Sequence, residues 1–75
     1  MNKLPVVSAK ALVKALGKLG YEIDHQTGSH IILRQLDEPH RRLSVPNHKE
    51  LAKGTLKKLI AAVGLTPDEL NDLLR

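Results

Sequence analysis

Residues 21–36 read YEIDHQTGSHIILRQL, and the fold turns on how this stretch divides. YEIDHQ alternates, with Tyr21, Ile23 and His25 on one side and Glu22, Asp24 and Gln26 on the other, the pattern of a half-buried strand. Thr27-Gly28 supplies a tight turn, a role expected of Gly28 whatever the chain does. SHIILRQL then reads as a second strand, apolar enough to be central. Strict alternation groups His30 with Ile32, Arg34 and Leu36, and Ser29 with Ile31, Leu33 and Gln35. Both groups contain aliphatic residues. The pattern therefore leaves open which face is covered, and whether the His30 imidazole meets solvent or sits at the rim of a core.

Downstream, LDEPH makes a turn through Asp37, Glu38 and Pro39, and HRRLSVP reads as a third strand with Leu43 and Val45 on one face, ended by Pro46. Short connections between successive strands favour an antiparallel meander. NHKELAKG leads into a helix in which Leu56, Leu59, Ile60 and Val63 recur at helical spacing and Gly64 is the stop. Thr66-Pro67-Asp68-Glu69 is a capping box with proline at the first helical position, opening a short last helix that carries Leu70, Leu73 and Leu74. That helix completes the core or, alternatively, meets a partner. Upstream, Ser8 can cap a helix with Leu12, Leu16 and Leu19 on one stripe, Lys10, Lys14 and Lys18 on another, and Gly20 as its stop. The order is α-β-β-β-α-α. With 75 residues the chain is expected to be one α+β domain, a two-layer sandwich whose helices cover one face of a three-stranded antiparallel sheet.

The net charge of +4 is uneven: residues 1–64 carry eleven Lys and Arg against five acids, and residues 65–75 one Arg against three. A small basic body suits a polyanion, most simply a nucleic acid. Tyr21 is the one aromatic residue, too little for the stacking platforms with which many single-strand binders hold bases. There is no cysteine, hence no disulfide and no thiolate zinc site, and the four histidines show no metal-ligand spacing. No cofactor is expected. MNKLPVVSAK is too short in apolar residues for a signal peptide, and no run approaches a membrane span. The expectation is a soluble cytoplasmic protein.

Three pieces in sequence order, LVKALGKLGYE, GSHIIL and VPNHKELAKGTLKKLIAAVGLT, resemble the HicA (YcfA-like) family of toxins from toxin–antitoxin pairs. The likeness runs from about Ser8 to Leu74. It implies a fold like that of double-stranded-RNA-binding domains, an mRNA-cleaving endoribonuclease activity, and neutralisation by a HicB-type antitoxin protein. It also implies that the catalytic histidine is that of Gly-Ser-His, here His30. One departure is that Ile31, Ile32 and Leu33 are all aliphatic, where the family's strand often has an aromatic or basic residue after the histidine.

The chemistry is compatible with these residues. RNA can be cut without a metal when the 2′-hydroxyl attacks its own phosphate and the 5′-oxygen leaves. One group must accept a proton and one must supply it, and an imidazole, with an ordinary pKa of about 6.5, does either near neutrality. Charge growing on the phosphate needs cations or backbone N–H groups. Gly28 and Ser29 are the candidates to position substrate, the first by letting backbone approach a phosphate, the second by a hydrogen bond to phosphate or ring. Arg34, Arg41, Arg42, Lys49 and Lys53 are the nearest cations by topology. Lys10, Lys14, Lys57 and Lys58 add helix cations that, in a fold of the implied kind, track phosphates; the ordinary reading of such lysines is a solvated face. A second proton-transfer group is sought among His25, His40 and His48. The rival readings are a non-catalytic RNA-binding module and a protein-interaction module whose basic face meets an acidic partner.

Overall fold

The computed structural model describes residues 4–75. Its elements are α1 (Ala9–Gly17), β1 (Tyr21–Gln26), β2 (His30–Gln35), β3 (Arg42–Pro46), α2 (Lys53–Val63) and α3 (Pro67–Leu74). This is the expected α+β order, and the three strands form one antiparallel sheet, β1-β2-β3, with β2 central.

Each helix is punctuated by local chemistry. Ser8 caps α1, its hydroxyl accepting from the Ala11 N–H at 3.1 Å. The helix stops at Gly17, short of the glycine expected to end it. Lys18, Leu19 and Gly20 then form a tightened turn whose N–H groups reach back to Ala15, Leu16 and Gly17, and Gly20, at φ +92°, redirects the chain into β1. Leu19 lies past the helix end. It falls off the apolar stripe and is 40% exposed, unlike fully buried Leu12 and Leu16. α2 begins at Lys53 behind Ala52, which offers no side-chain cap. Its far end meets the expectation: Gly64 is left-handed and its N–H bonds the Ile60 and Ala61 carbonyls. α3 carries the capping box, Thr66 accepting from Glu69 N–H while Glu69 accepts from Thr66 N–H.

The buried residues form one cluster. Leu12 and Leu16 of α1, Ile31 and Leu33 of β2, Val45 of β3, Leu56, Leu59 and Ile60 of α2 and Leu70 of α3 meet in it. The last helix is thus a core element, with Leu73 and Leu74 packed at its margin. Lys18 ties it down: its ammonium donates to the carbonyls of Leu73 (2.7 Å) and Arg75 (3.2 Å), the open end of α3. This lysine of the expected cationic stripe therefore serves the fold. Among the described residues, no helix is long and apolar enough to cross a membrane.

Candidate functional site

The face of the sheet away from the core is settled by β2. Ile31 and Leu33 are buried, so the intervening His30, Ile32 and Arg34 occupy the open face. His30 is exposed at the first position of the strand, paired with Pro46 across β3. Its backbone is clamped by Thr27. The His30 N–H donates to Thr27 Oγ1 (3.1 Å), and the His30 carbonyl accepts from the Thr27 N–H (2.9 Å) and hydroxyl (3.3 Å). The Ser29 hydroxyl lies 3.0 Å from His30 Nδ1. That contact restrains the ring and occupies Nδ1, leaving Nε2 as the nitrogen free to meet a substrate.

Several elements converge on this turn. The Ser29 carbonyl accepts from Asn47 N–H at the exit of β3, and the next residue, His48, offers its carbonyl to Ala9 N–H at the start of α1. Leu51 N–H bonds the Val7 carbonyl just before α2 begins. The Gly-Ser-His turn, the first turn of α1 with Lys10, and the loop holding Lys49 and leading to Lys53 thus gather at one end of the molecule. Gly28 has no left-handed φ, and a Cβ there would meet nothing within 4 Å. The turn does not need glycine at this position, contrary to the sequence-based expectation. What the glycine provides is a bare backbone beside an exposed imidazole.

The other cations are divided by the fold. Arg34 and Arg42 are cross-strand partners on the His30 face, but at its far end, four residues or roughly 13 Å along β2. There they pair with acids of β1, Arg34 with Glu22 (3.8 Å) and Arg42 with Asp24 (3.7 Å). Arg41 precedes β3 and its carbonyl pairs with Gln35, so alternation sends its side chain to the opposite side. Lys14 lies one turn farther along α1 than Lys10, and Lys57 one turn into α2 from Lys53; all four are exposed. Lys53 and Lys57 border a groove with Leu4, Ile60 and Pro67.

β1 departs from the expected alternation. A bulge falls at Asp24: Ile23 pairs with Leu33 and His25 with Ile32. Tyr21 and Ile23 keep to one side, but His25 crosses to the open face with Ile32 and His30. The strand is not half-buried either, since every residue after Tyr21 is exposed. Asp24 Oδ2 accepts from His25 Nδ1 at 2.8 Å. This hydrogen bond, reinforced by the charges of Arg42, His25 and Arg34, holds the Asp24 carboxyl below the usual carboxylate value. His40 sits in the β2–β3 turn at φ +56°, with Nδ1 3.2 Å from the Gln35 carbonyl, and β3 begins only at Arg42. His48 lines a groove with Pro5 and Glu50. Among the described residues no three His, Asp or Glu side chains are grouped to hold a metal ion.

Residues 9–65 match the model of the HicA toxin of bacterial toxin–antitoxin systems, a span running from the first residue of α1 through all three strands and α2. The chain belongs to the HicA toxin family. That places it on the toxin side of a toxin–antitoxin pair. The matched HicA span contains the Gly-Ser-His turn and both histidines of the open face, while α3 lies beyond it. No curated protein and no solved structure gives a significant match.

Proposed function

We propose that this HicA-family chain is a metal-independent endoribonuclease that cleaves mRNA in the cytoplasm with His30 as a catalytic proton-transfer group, and that a HicB-type antitoxin neutralises it. The observation that carries the reading is His30 itself: exposed, held by Thr27 through its backbone and by Ser29 at Nδ1, on the face that no helix covers. A strand-end imidazole with one ring nitrogen engaged and the other free can move a proton to or from a ribose or phosphate oxygen.

The neighbouring residues suit a phosphate. Bare backbone at Gly28 admits a close approach, and Ser29 can share its hydroxyl between ring and phosphate. Lys10, Lys49 and Lys53 lie at this end of the fold, and Lys14 and Lys57 extend the positive surface along the two helices. Arg34, Arg41 and Arg42 would contact the backbone of a longer RNA farther along the sheet. Such contacts give salt-dependent affinity and little choice of sequence. The attacking group is the substrate's own 2′-hydroxyl, so DNA should not be cut. The basic body also suits an antitoxin with an acidic docking surface.

The test is cleavage of end-labelled mRNA by native protein and His30→Ala, with EDTA present and thermal melts confirming that both fold. Cleavage by the native protein alone is expected, with a loss of about 10²–10⁴-fold in the variant. If neither cuts and both bind RNA, the chain is a binding module of the same fold. If neither binds at moderate salt, the basic surface serves a protein partner.

A further inference from the structure

Cleavage by 2′-hydroxyl attack needs two proton transfers, and His30 supplies one. The bulge at Asp24 supplies a group for the other. In a regular strand, neighbouring side chains point to opposite faces. Here the extra residue lets Asp24 and His25 share the open face, close enough for the 2.8 Å hydrogen bond between them. The carboxylate accepts from Nδ1–H, which fixes the tautomer and leaves Nε2 as the ring nitrogen able to accept a proton. Arg42, at 3.7 Å from the same Asp24 oxygen, keeps that carboxylate in place. Glu22 is turned to Arg34 and does not compete.

His25 is paired with Ile32, and His30 is two residues before Ile32 on the same face. The two imidazoles are therefore diagonal neighbours across the β1–β2 hairpin, roughly 7–8 Å apart at the backbone. A phosphate bound on this face between them is the placement that would bring its attacking and leaving oxygens to the two rings, at the roughly 2.6–3.2 Å that proton transfer requires. His40 lies at the far end of β2, and His48 lines another groove.

We infer that His25, oriented by Asp24, is the general base of the reaction and His30 the general acid. This rests on the ribonuclease reading above. In the step, His25 Nε2 takes the proton of the 2′-hydroxyl as the 2′-oxygen bonds to phosphorus. The bond from phosphorus to the 5′-oxygen breaks, and His30 gives that oxygen its proton. The products are a 2′,3′-cyclic phosphate and a 5′-hydroxyl, with the two histidines left in exchanged protonation states that water restores.

The experiment uses two RNAs of one sequence, one ordinary and one with sulfur replacing the 5′-bridging oxygen at the cut. Sulfur leaves as a thiolate, whose conjugate acid has a pKa of about 8.5, and needs no acid. Native protein, His25→Ala, His25→Gln and His30→Ala are compared, each shown to fold by its melt. On ordinary RNA, both His25 variants and His30→Ala should lose about 10²–10⁴-fold. On the sulfur-bridged RNA, His30→Ala should recover and the His25 variants should not, a difference that a merely structural role would not produce. Native rates in the His25 variants on ordinary RNA would overturn the inference, as would their recovery on the sulfur-bridged RNA. If native protein cuts neither RNA, the ribonuclease reading itself falls and this inference falls with it.

Discussion

β1 and β2 are two arms of one hairpin, six residues each, yet they treat alternation differently. β2 keeps it. Odd positions Ile31 and Leu33 enter the core, and even positions His30, Ile32 and Arg34 line the open face. β1 breaks it at Asp24, and two consecutive polar side chains end on the same face. The difference follows from position in the sheet. A central strand is paired on both sides and covered by the helices, so an extra residue there would disrupt two ladders and turn core side chains outward. An edge strand has one ladder and little buried surface, so a bulge costs it far less. The rigid arm places His30, and the permissive arm can be bent to bring His25 beside it.

The largest expected effect tests this contrast directly. Leu33 and Ile23 are cross-strand partners, but Leu33 is fully buried and Ile23 is 53% exposed. Leu33→Ala should cost about 2–5 kcal/mol, from lost burial and the cavity left behind. Ile23→Ala should stay within about 0.5 kcal/mol. Urea unfolding of both variants measures this. Comparable losses would mean that β1 contributes to the core as fully as β2, and the contrast would fail.

What the sequence revealed divides along the same line. The three-strand order, the Ser8 cap, the Gly64 stop and the Thr66–Glu69 capping box were readable because each is decided by residues within a few positions of one another. The bulge at Asp24 was not, because it depends on which residues of β2 sit opposite, and YEIDHQ alternates well enough by itself. The face of His30 was not either: Ile32 is as aliphatic as Ile31, and only the helices decide which is covered. Gly20 does mark a turn, but three residues beyond the helix end, since the last turn of α1 tightens first. The role of Lys18 depends on two carbonyls 55 and 57 residues away. His30 was found through the family's Gly-Ser-His motif, while no local signal distinguished His25 from His40 or His48.

A smaller effect separates structure from function in the turn joining the two arms. Gly28 has no left-handed φ, and a methyl group added there would meet nothing within 4 Å. Gly28→Ala should therefore leave stability unchanged or raise it by about 0.4–1 kcal/mol, by restricting the unfolded chain. RNA cleavage should nonetheless fall, because the methyl group stands where backbone would approach a phosphate. A melt and a cleavage rate on one preparation decide it: a destabilised variant would return Gly28 to the role of turn-former, and full activity would remove it from substrate positioning.

The smallest effect concerns the bulge alone. The Asp24 carboxyl is held below its ordinary value of 3.8, first by the hydrogen bond from His25 and then by Arg42 and Arg34. A carboxyl with a lowered pKa in the folded state contributes stability that is fully present above the unfolded value and is lost as pH falls through the folded one. Native protein should therefore lose a little stability below about pH 4 that Asp24→Asn never had. Asparagine keeps the bulge and the side-chain shape, so comparing the urea midpoints of both proteins at pH 6 and pH 3 isolates the charge. The gap should narrow at pH 3, and added salt should shrink it at pH 6, because the partners are open to solvent. A gap unchanged by pH would mean that backbone geometry alone joins Asp24 to His25, and that the carboxylate does not hold the ring on which base catalysis would depend.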